Sequence, residues 1–323
     1  MQGKVSCERS AAIRVYVGID VCKGWLDVYV HPIGQWLRVP NTREGLKKLK
    51  RLLSQYQVVL IVMEATAKLH RQAHRNLHAG GFAVAVVNPL RSRLFAEAAG
   101  QLAKTDKVDA RMLALLAAML EPRAKAPPPE ALEALQEIVR GREACMTQRT
   151  ALLNQLGAAK ITCLRQQIRR QLKTVESAIG RLEDEIERII EADPALSRRF
   201  AILVSIPGLG RIAAMTLLAN FAELGTCTGK QAAMIAGLAP LACDSGESRG
   251  QRHIRGGRAS LRTGLYMAAL SAARFNADMQ RFYARLIADG KQAKVALTAV
   301  MRKLIVLANT LIRQDRLWQP THP

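Results

Sequence analysis

RVYVGIDVCKGWLDVYVHPIGQWLRVP, residues 14 to 40, decides how the first part of this chain folds. Three short runs, 14 to 20, 25 to 31 and 35 to 40, are rich in β-branched and aromatic residues and are separated by Lys-Gly and Pro-Ile-Gly turns. Such side chains fit a pleated surface while Gly and Pro mark reversals, so the pattern predicts a three-stranded antiparallel meander. Beyond it, TREGLKKLKRLLSQY sets Leu46, Leu49, Leu52 and Leu53 at helical spacing behind a Thr-x-Glu start. The apolar strand VVLIVME follows and ends at Glu64. A helix over 68 to 79, a Gly-Gly turn, a strand FAVAVVN at 82 to 88 and a helix from Pro89 continue the alternation. Strands alternating with helices after a meander imply an α/β domain, a mixed sheet flanked by helices. Its last element, KTDKVDARMLALLAAML, reads as a helix stopped at Glu121-Pro122.

The proline-rich AKAPPPEA (124 to 131) breaks this pattern, and long helices with charged outer faces follow. From Ile161, apolar residues at Leu164, Ile168, Leu172, Val175, Ile179, Leu182, Ile186 and Ile189 recur every three or four positions as far as Asp193-Pro194. This heptad-like stripe predicts a coiled-coil arm or a helical hairpin, with Gly157 as a turn, and it suits either packing on its own domain or oligomerisation. The expected organisation is therefore an α/β domain at 1–123, a linker with coiled-coil helices at 124–195, and a mostly helical domain at 196–323. Within the last, LVSIPGLGRIAAMTLLANF (203 to 221) resembles a helix-hairpin-helix element, in which Gly208 and Gly210 would present backbone N–H groups to a phosphate.

Lysine and arginine number 48 against 26 acidic residues, a formal charge of +22, which is the footprint of a nucleic-acid binder. No polybasic block beside an apolar span and no lipidation signal points to a membrane. No run reaches the roughly 18 uninterrupted apolar residues of a membrane span. The N-terminal MQGKVSCERSAAIR lacks a secretory core, so the expected location is cytoplasmic, with the nucleoid. The six cysteines, at 7, 22, 145, 163, 227 and 243, form no CxxC pair, so reduced structural thiols are expected.

Two carboxylates end apolar strands: Asp20 follows RVYVGI and Glu64 follows VVLIVM. Sites of α/β folds lie at the carboxyl edge of neighbouring strands, where both could project. Asp106 and Asp109, three apart at a helix start, share one face and could be brought to the same edge. Four converging carboxylates repel one another unless divalent cations neutralise them, and hard oxygen donors suit Mg²⁺ or Mn²⁺. Taken singly, each residue also fits an ordinary place as a turn or helix cap or a solvated strand end.

VGIDVCK, VMEAT and AKTDKVDARMLA, carrying Asp20, Glu64, Asp106 and Asp109, resemble the DEDD signature of transposases of insertion sequence family 110, particularly its 1111 subgroup. The likeness extends over nearly the whole chain. It implies a ribonuclease-H-like fold close to that of the junction resolvase RuvC, with these four residues as Mg²⁺ ligands. Cys22 stands where the family has a serine, and Ala67 where a glycine commonly follows Glu-Ala-Thr.

GLAPLACDSGESRGQRHIRGGRASLRTGLYMAAL (237 to 270) is similar to the same family's C-terminal transposase domain, where a Gly-x-x-Pro segment leads to a Ser-Gly pair. The resemblance implies that Ser245 attacks DNA and holds it as a phosphoserine. A serine hydroxyl needs a base or a metal ion to activate it. On the residues alone Ser248 and Ser260 are rivals, and Ser245 also suits a simple turn. Arg249, Arg252, Arg255, Arg258 and Arg262 fall within a stretch that holds no acid, and they could line a nucleic-acid backbone. The resemblance further implies dimers that pair into tetramers, donor and target DNA as substrates, and a noncoding bridge RNA as guide. Two other readings fit the charge: a junction-resolving nuclease that needs metal but no serine, and a basic architectural protein without activity.

Overall fold

The computed structural model describes residues 13–320 except 104, 243, 245, 247–249 and 251. The chain divides into two compact units, Met1–Pro127 and Pro128–Pro323.

In the first unit the expected meander forms as β1 (Arg14–Val21), β2 (Trp25–His31) and β3 (Gln35–Pro40), each pair antiparallel. After α1 (Arg43–Leu53), β4 (Gln57–Glu64) lies parallel to β1, and after α2 (His70–Ala79), β5 (Val84–Val87) lies parallel to β4. The strand order is β3-β2-β1-β4-β5, a mixed sheet consistent with a ribonuclease-H-like domain. Helices α3 (Pro89–Ala98) and α4 (Asp106–Leu120) complete the unit.

The side-chain alternation of β1 divides the unit into two layers. Val15, Val17, Ile19 and Val21 are buried with Leu46, Leu49 and Leu53 of α1 and with Ala73 and Leu77 of α2. On the other face Leu60, Val62, Ala85 and Val87 pack with Leu113, Leu116 and Ala117 of α4. Gly18 points to this second face. A Cβ there would meet Ala110 O at 2.1 Å and Ala114 N at 2.3 Å, so only glycine lets α4 lie directly on β1. Thr42 and Thr105 cap α1 and α4 through their hydroxyls, and Glu121, in the left-handed region at φ 37°, ends α4 before Pro122.

Ala67 is also left-handed, at φ 47°. A Cβ is strained in this region, and the alanine tolerates a conformation that glycine would adopt freely.

In the second unit α5 (Glu130–Ala158) and α6 (Thr162–Ala192) form an antiparallel hairpin. Ion pairs Arg142–Glu183 (2.6 Å) and Arg149–Glu176 (3.0 Å) join the helices along their length. Ile168, Leu172, Val175 and Ile179 are buried with Leu152 of α5, so this part of the heptad stripe is occupied within the chain itself. The turn is not at Gly157, which is helical, but at residues 159–161. Arg165 makes that end possible without glycine by donating from Nη1 to the carbonyls of Leu156 (3.0 Å) and Ala159 (2.8 Å), which the helix leaves unpaired.

The remaining elements are α7 (Pro194–Val204), α8 (Arg211–Asn220), α9 (Gly229–Ile235), the two-residue strands β6 (Pro240–Leu241) and β7 (His253–Ile254), α10 (Ala259–Phe275), α11 (Ala277–Ala288) and α12 (Ala293–Arg313). One core takes in the base of the hairpin, at Leu135, Val139, Ile186 and Ile190, together with α7, α8, α10 and α12. Among the described residues α12 alone is long and apolar enough to cross a membrane. Its Val300, Leu304, Ile305, Ala308 and Leu311 belong to that core. Among the described residues Cys22, Cys145, Cys163 and Cys227 are free cysteines; Cys7 and Cys243 lie outside the described residues.

Candidate active site

Asp20 and Glu64 are brought side by side by strand pairing. Ile19 pairs with Met63 in the parallel ladder of β1 and β4, so the next residue on each strand is one of the two acids. They stand at the carboxyl edge of adjacent parallel strands. Glu64 is oriented by Ser92 of α3, whose buried hydroxyl donates to Oε2 at 2.7 Å. The contact of α4 with Gly18 carries Asp106 and Asp109, in the first turn of that helix, to the same edge.

The electrostatics register this gathering. The Asp20 carboxyl is pushed up to about 6, first by burial and then by the charges of Asp109 and Asp106, with Glu64 adding to them. Like charges in a half-dry site disfavour ionisation, and the Val21 backbone offsets only part of that. Among the described residues no group of three or more His, Cys, Asp or Glu forms a ready-made metal cage. The donor set nevertheless fits a hard divalent cation. It is all carboxylate oxygen, the donor type that such ions take, and the ionised form of Asp20 is disfavoured by its neighbours' charges.

The sequence did not single out Asp27, Arg38 or Ser92. Asp27 sits between apolar residues in WLDVYVH and is only 2% exposed, an anomaly that could have flagged it.

In the second unit Gly208 has φ 98°, and a Cβ there would meet Ala272 Cα at 2.4 Å, so close packing on α10 accounts for this glycine. Gly210 is the N-cap of α8 and supplies no side-chain cap. A cleft of about 910 Å³ lies at this helix start, with Gly210, Arg211, Ser260 and Thr263 in its wall. Ser245, Ser248 and Arg249 fall in sequence between β6 and β7 and lie outside the described residues. The arginine-rich stretch holds no acid of its own, but the fold brings acids from elsewhere. Arg252 pairs with Asp244 at 2.8 Å, and Arg258 pairs with both oxygens of Glu223 while donating to Asn220 O. Arg262 donates to Gly256 O at 2.9 Å, and Arg255 is exposed.

Carboxylates on a mixed-sheet edge, in a strongly basic chain, suit an enzyme that works on nucleic-acid phosphodiesters. Residues 17–167, which hold all four carboxylates, match a family model for the DEDD transposase of IS110 elements. Residues 200–284 match the transposase IS116/IS110/IS902 family. The chain belongs to the IS110 family of transposases, enzymes of DNA recombination. It is 28% identical to the pilin gene-inverting proteins of Moraxella bovis and Moraxella lacunata over 94% of its own length and 97% of theirs. An uncharacterized 44.8 kDa protein of insertion element IS116 from Streptomyces clavuligerus is 28% identical over 56% of this chain and 44% of that protein.

Proposed function

We propose that this protein excises and inserts its own insertion sequence by metal-assisted DNA cleavage and strand exchange through a serine-linked intermediate. The observation that carries the reading is the sheet edge where the parallel pairing of β1 and β4 sets Asp20 beside Glu64, with Asp20, half-buried and raised to about 6, in the field of Asp109 and Asp106 as well. Carboxylates gathered in this way repel one another, and a bound cation relieves that repulsion. These four side chains would hold Mg²⁺ or Mn²⁺. Such ions, when bound, supply positive charge to the attacking and leaving oxygens of a phosphodiester.

The chain's own residues do the rest. Ser92 keeps Glu64 turned toward the edge, and Gly18 lets the α4 start sit beside it. Ser245 is the nucleophile. Its Oγ bonds to the scissile phosphorus, the bond to a deoxyribose oxygen breaks, and the proton lost by the serine is balanced by one gained at that oxygen, which leaves as a hydroxyl. Attack by the hydroxyl of another strand reverses the step, restores the serine and exchanges the strands without loss of the phosphodiester bond. Arg249, Arg252, Arg255, Arg258 and Arg262 and the backbone at Gly208 and Gly210 are the proposed phosphate contacts. The name of the Moraxella proteins, inverters of a pilin gene, fits the same strand-exchange chemistry. We extend the proposal to a bridge RNA that pairs with donor and target DNA while the protein reads backbone and shape. It also includes dimers assembling into tetramers, and the coiled-coil and helix-hairpin-helix character of the second unit. The place of action is the cytoplasm, at the nucleoid.

Ser245→Ala is expected to abolish the covalent protein–DNA species while nucleic-acid affinity stays near wild type. The change removes one hydroxyl next to a glycine, so stability should change by less than about 1 kcal/mol. The check is denaturing electrophoresis of labelled DNA with wild type and with Ser245→Ala, Ser248→Ala and Ser260→Ala. An adduct that survives in Ser245→Ala and disappears in another variant moves the nucleophile to that residue. Cleavage without any adduct in wild type favours a junction-resolving nuclease.

A further inference from the structure

Across the three antiparallel strands, Asp20 of β1 stands opposite Asp27 of β2, which stands opposite Arg38 of β3. Directly opposed residues share a face, here the one that α4 covers. Asp27 is 2% exposed, and a carboxylate so buried requires a partner. Arg38 provides it. Its Nε donates to both Asp27 oxygens at 3.0 and 3.2 Å, and its Nη2 donates to Oδ2 at 2.9 Å. The same Nη2 reaches Oδ2 of Asp106 at 2.7 Å. The next residue of α4, Lys107, lies 5.5 Å from the centre of the Trp36 ring, so β3 grips the start of this helix at two points.

We propose that Arg38, buttressed by the buried Asp27, is a positioning residue that fixes the Asp106 carboxylate for divalent-ion binding. The inference rests on the carboxylate reading above. The Asp106 side chain is 62% exposed at a helix start, and a side chain so placed samples several rotamers unless something holds it. Arg38 does not swing away with it, because departure would leave Asp27 buried and unpaired. It bonds only one Asp106 oxygen and leaves the other outside its grip. The planar fork matters: one guanidinium serves two carboxylates at fixed separation, which the single ammonium of a lysine does not reproduce.

The test measures Mn²⁺ binding to the full chain by calorimetry and by the electron paramagnetic resonance of the bound ion, with thermal melts as the control for folding. Arg38→Lys keeps the charge, so a purely electrostatic role predicts wild-type affinity. The proposal predicts roughly tenfold weaker binding and an altered resonance, as for other residues that orient ligands. The same substitution in an Asp106→Asn background should add no further loss, since its effect passes through Asp106. If Arg38→Lys does not fold, Asp27→Asn, which loosens the buttress and leaves Arg38 in place, should weaken binding in the same direction. Wild-type affinity in the folded variant, or an equal loss with and without Asp106, overturns the positioning role alone. A wild-type protein that binds no Mn²⁺ overturns the carboxylate reading and this inference together.

Discussion

Asp20→Asn is expected to reduce DNA strand cleavage on the order of a thousandfold or more while the protein melts at or above the wild-type temperature when no divalent ion is present. The two effects have one cause. In the folded chain burial and the charges of Asp109 and Asp106 push the Asp20 carboxyl up to about 6. A carboxyl raised on folding gives full stability only when protonated, and at neutral pH its ionised form opposes the fold; stability is regained as pH falls through that raised value. Asparagine keeps the shape and removes the charge. It also removes an anionic donor from the proposed ion site, which the chemistry needs at the moment charge builds on the phosphate. A residue retained for the fold would lose stability on such a change, whereas one retained for chemistry loses rate instead. Differential scanning fluorimetry in chelator and cleavage of end-labelled DNA in Mg²⁺ read the two quantities separately. A variant that cleaves at the wild-type rate removes Asp20 from the site.

Gly18→Ala should severely damage the first unit. The added methyl would lie 2.1 Å from Ala110 O, 2.3 Å from Ala114 N and 2.9 Å from Leu113 C. All three are backbone atoms of α4, so no side-chain rotation relieves the clash and the helix must move off β1. Overpacking of this kind costs about 3 kcal/mol or more, equivalent to a fall in melting temperature of roughly 10 °C. The displaced helix takes Leu113, Leu116 and Ala117 out of their contact with the sheet, and Asp106 and Asp109 away from Asp20. Activity should therefore fall even at temperatures where the variant remains folded. Thermal melting combined with cleavage at low temperature checks both, and a wild-type melting temperature would mean that α4 does not sit on Gly18.

Much of this architecture was legible because its signals are local. The meander is written in alternation and turn residues, and α1 begins at the threonine of its Thr-x-Glu start, Thr42. Asp20 and Glu64 could be placed at strand ends because the apolar runs before them end there. What stayed hidden depends on register or on distant partners. Arg38 and Asp27 become a pair only when β2 and β3 are aligned, and Asp106 joins them only when α4 has docked. Ser92 meets Glu64 from a helix 28 residues later in the chain. The hairpin turn was misplaced at Gly157 because the residue that closes α5, Arg165, lies beyond the turn and caps it from α6. The arginines of the second unit read as uncompensated because Glu223, the partner of Arg258, is 35 residues away in sequence.

The most direct measurement is cleavage of end-labelled element DNA by the wild-type protein in Mg²⁺, after chelation, and after Mg²⁺ is restored, with DNA retention followed in parallel by gel shift. The account predicts that cleavage stops with the chelator and returns with the ion. DNA stays bound throughout, because affinity rests on the arginines and lysines of a chain carrying a formal charge of +22. Cleavage that continues undiminished in chelator would contradict the assignment of Asp20, Glu64, Asp106 and Asp109 as the groups that hold the ion.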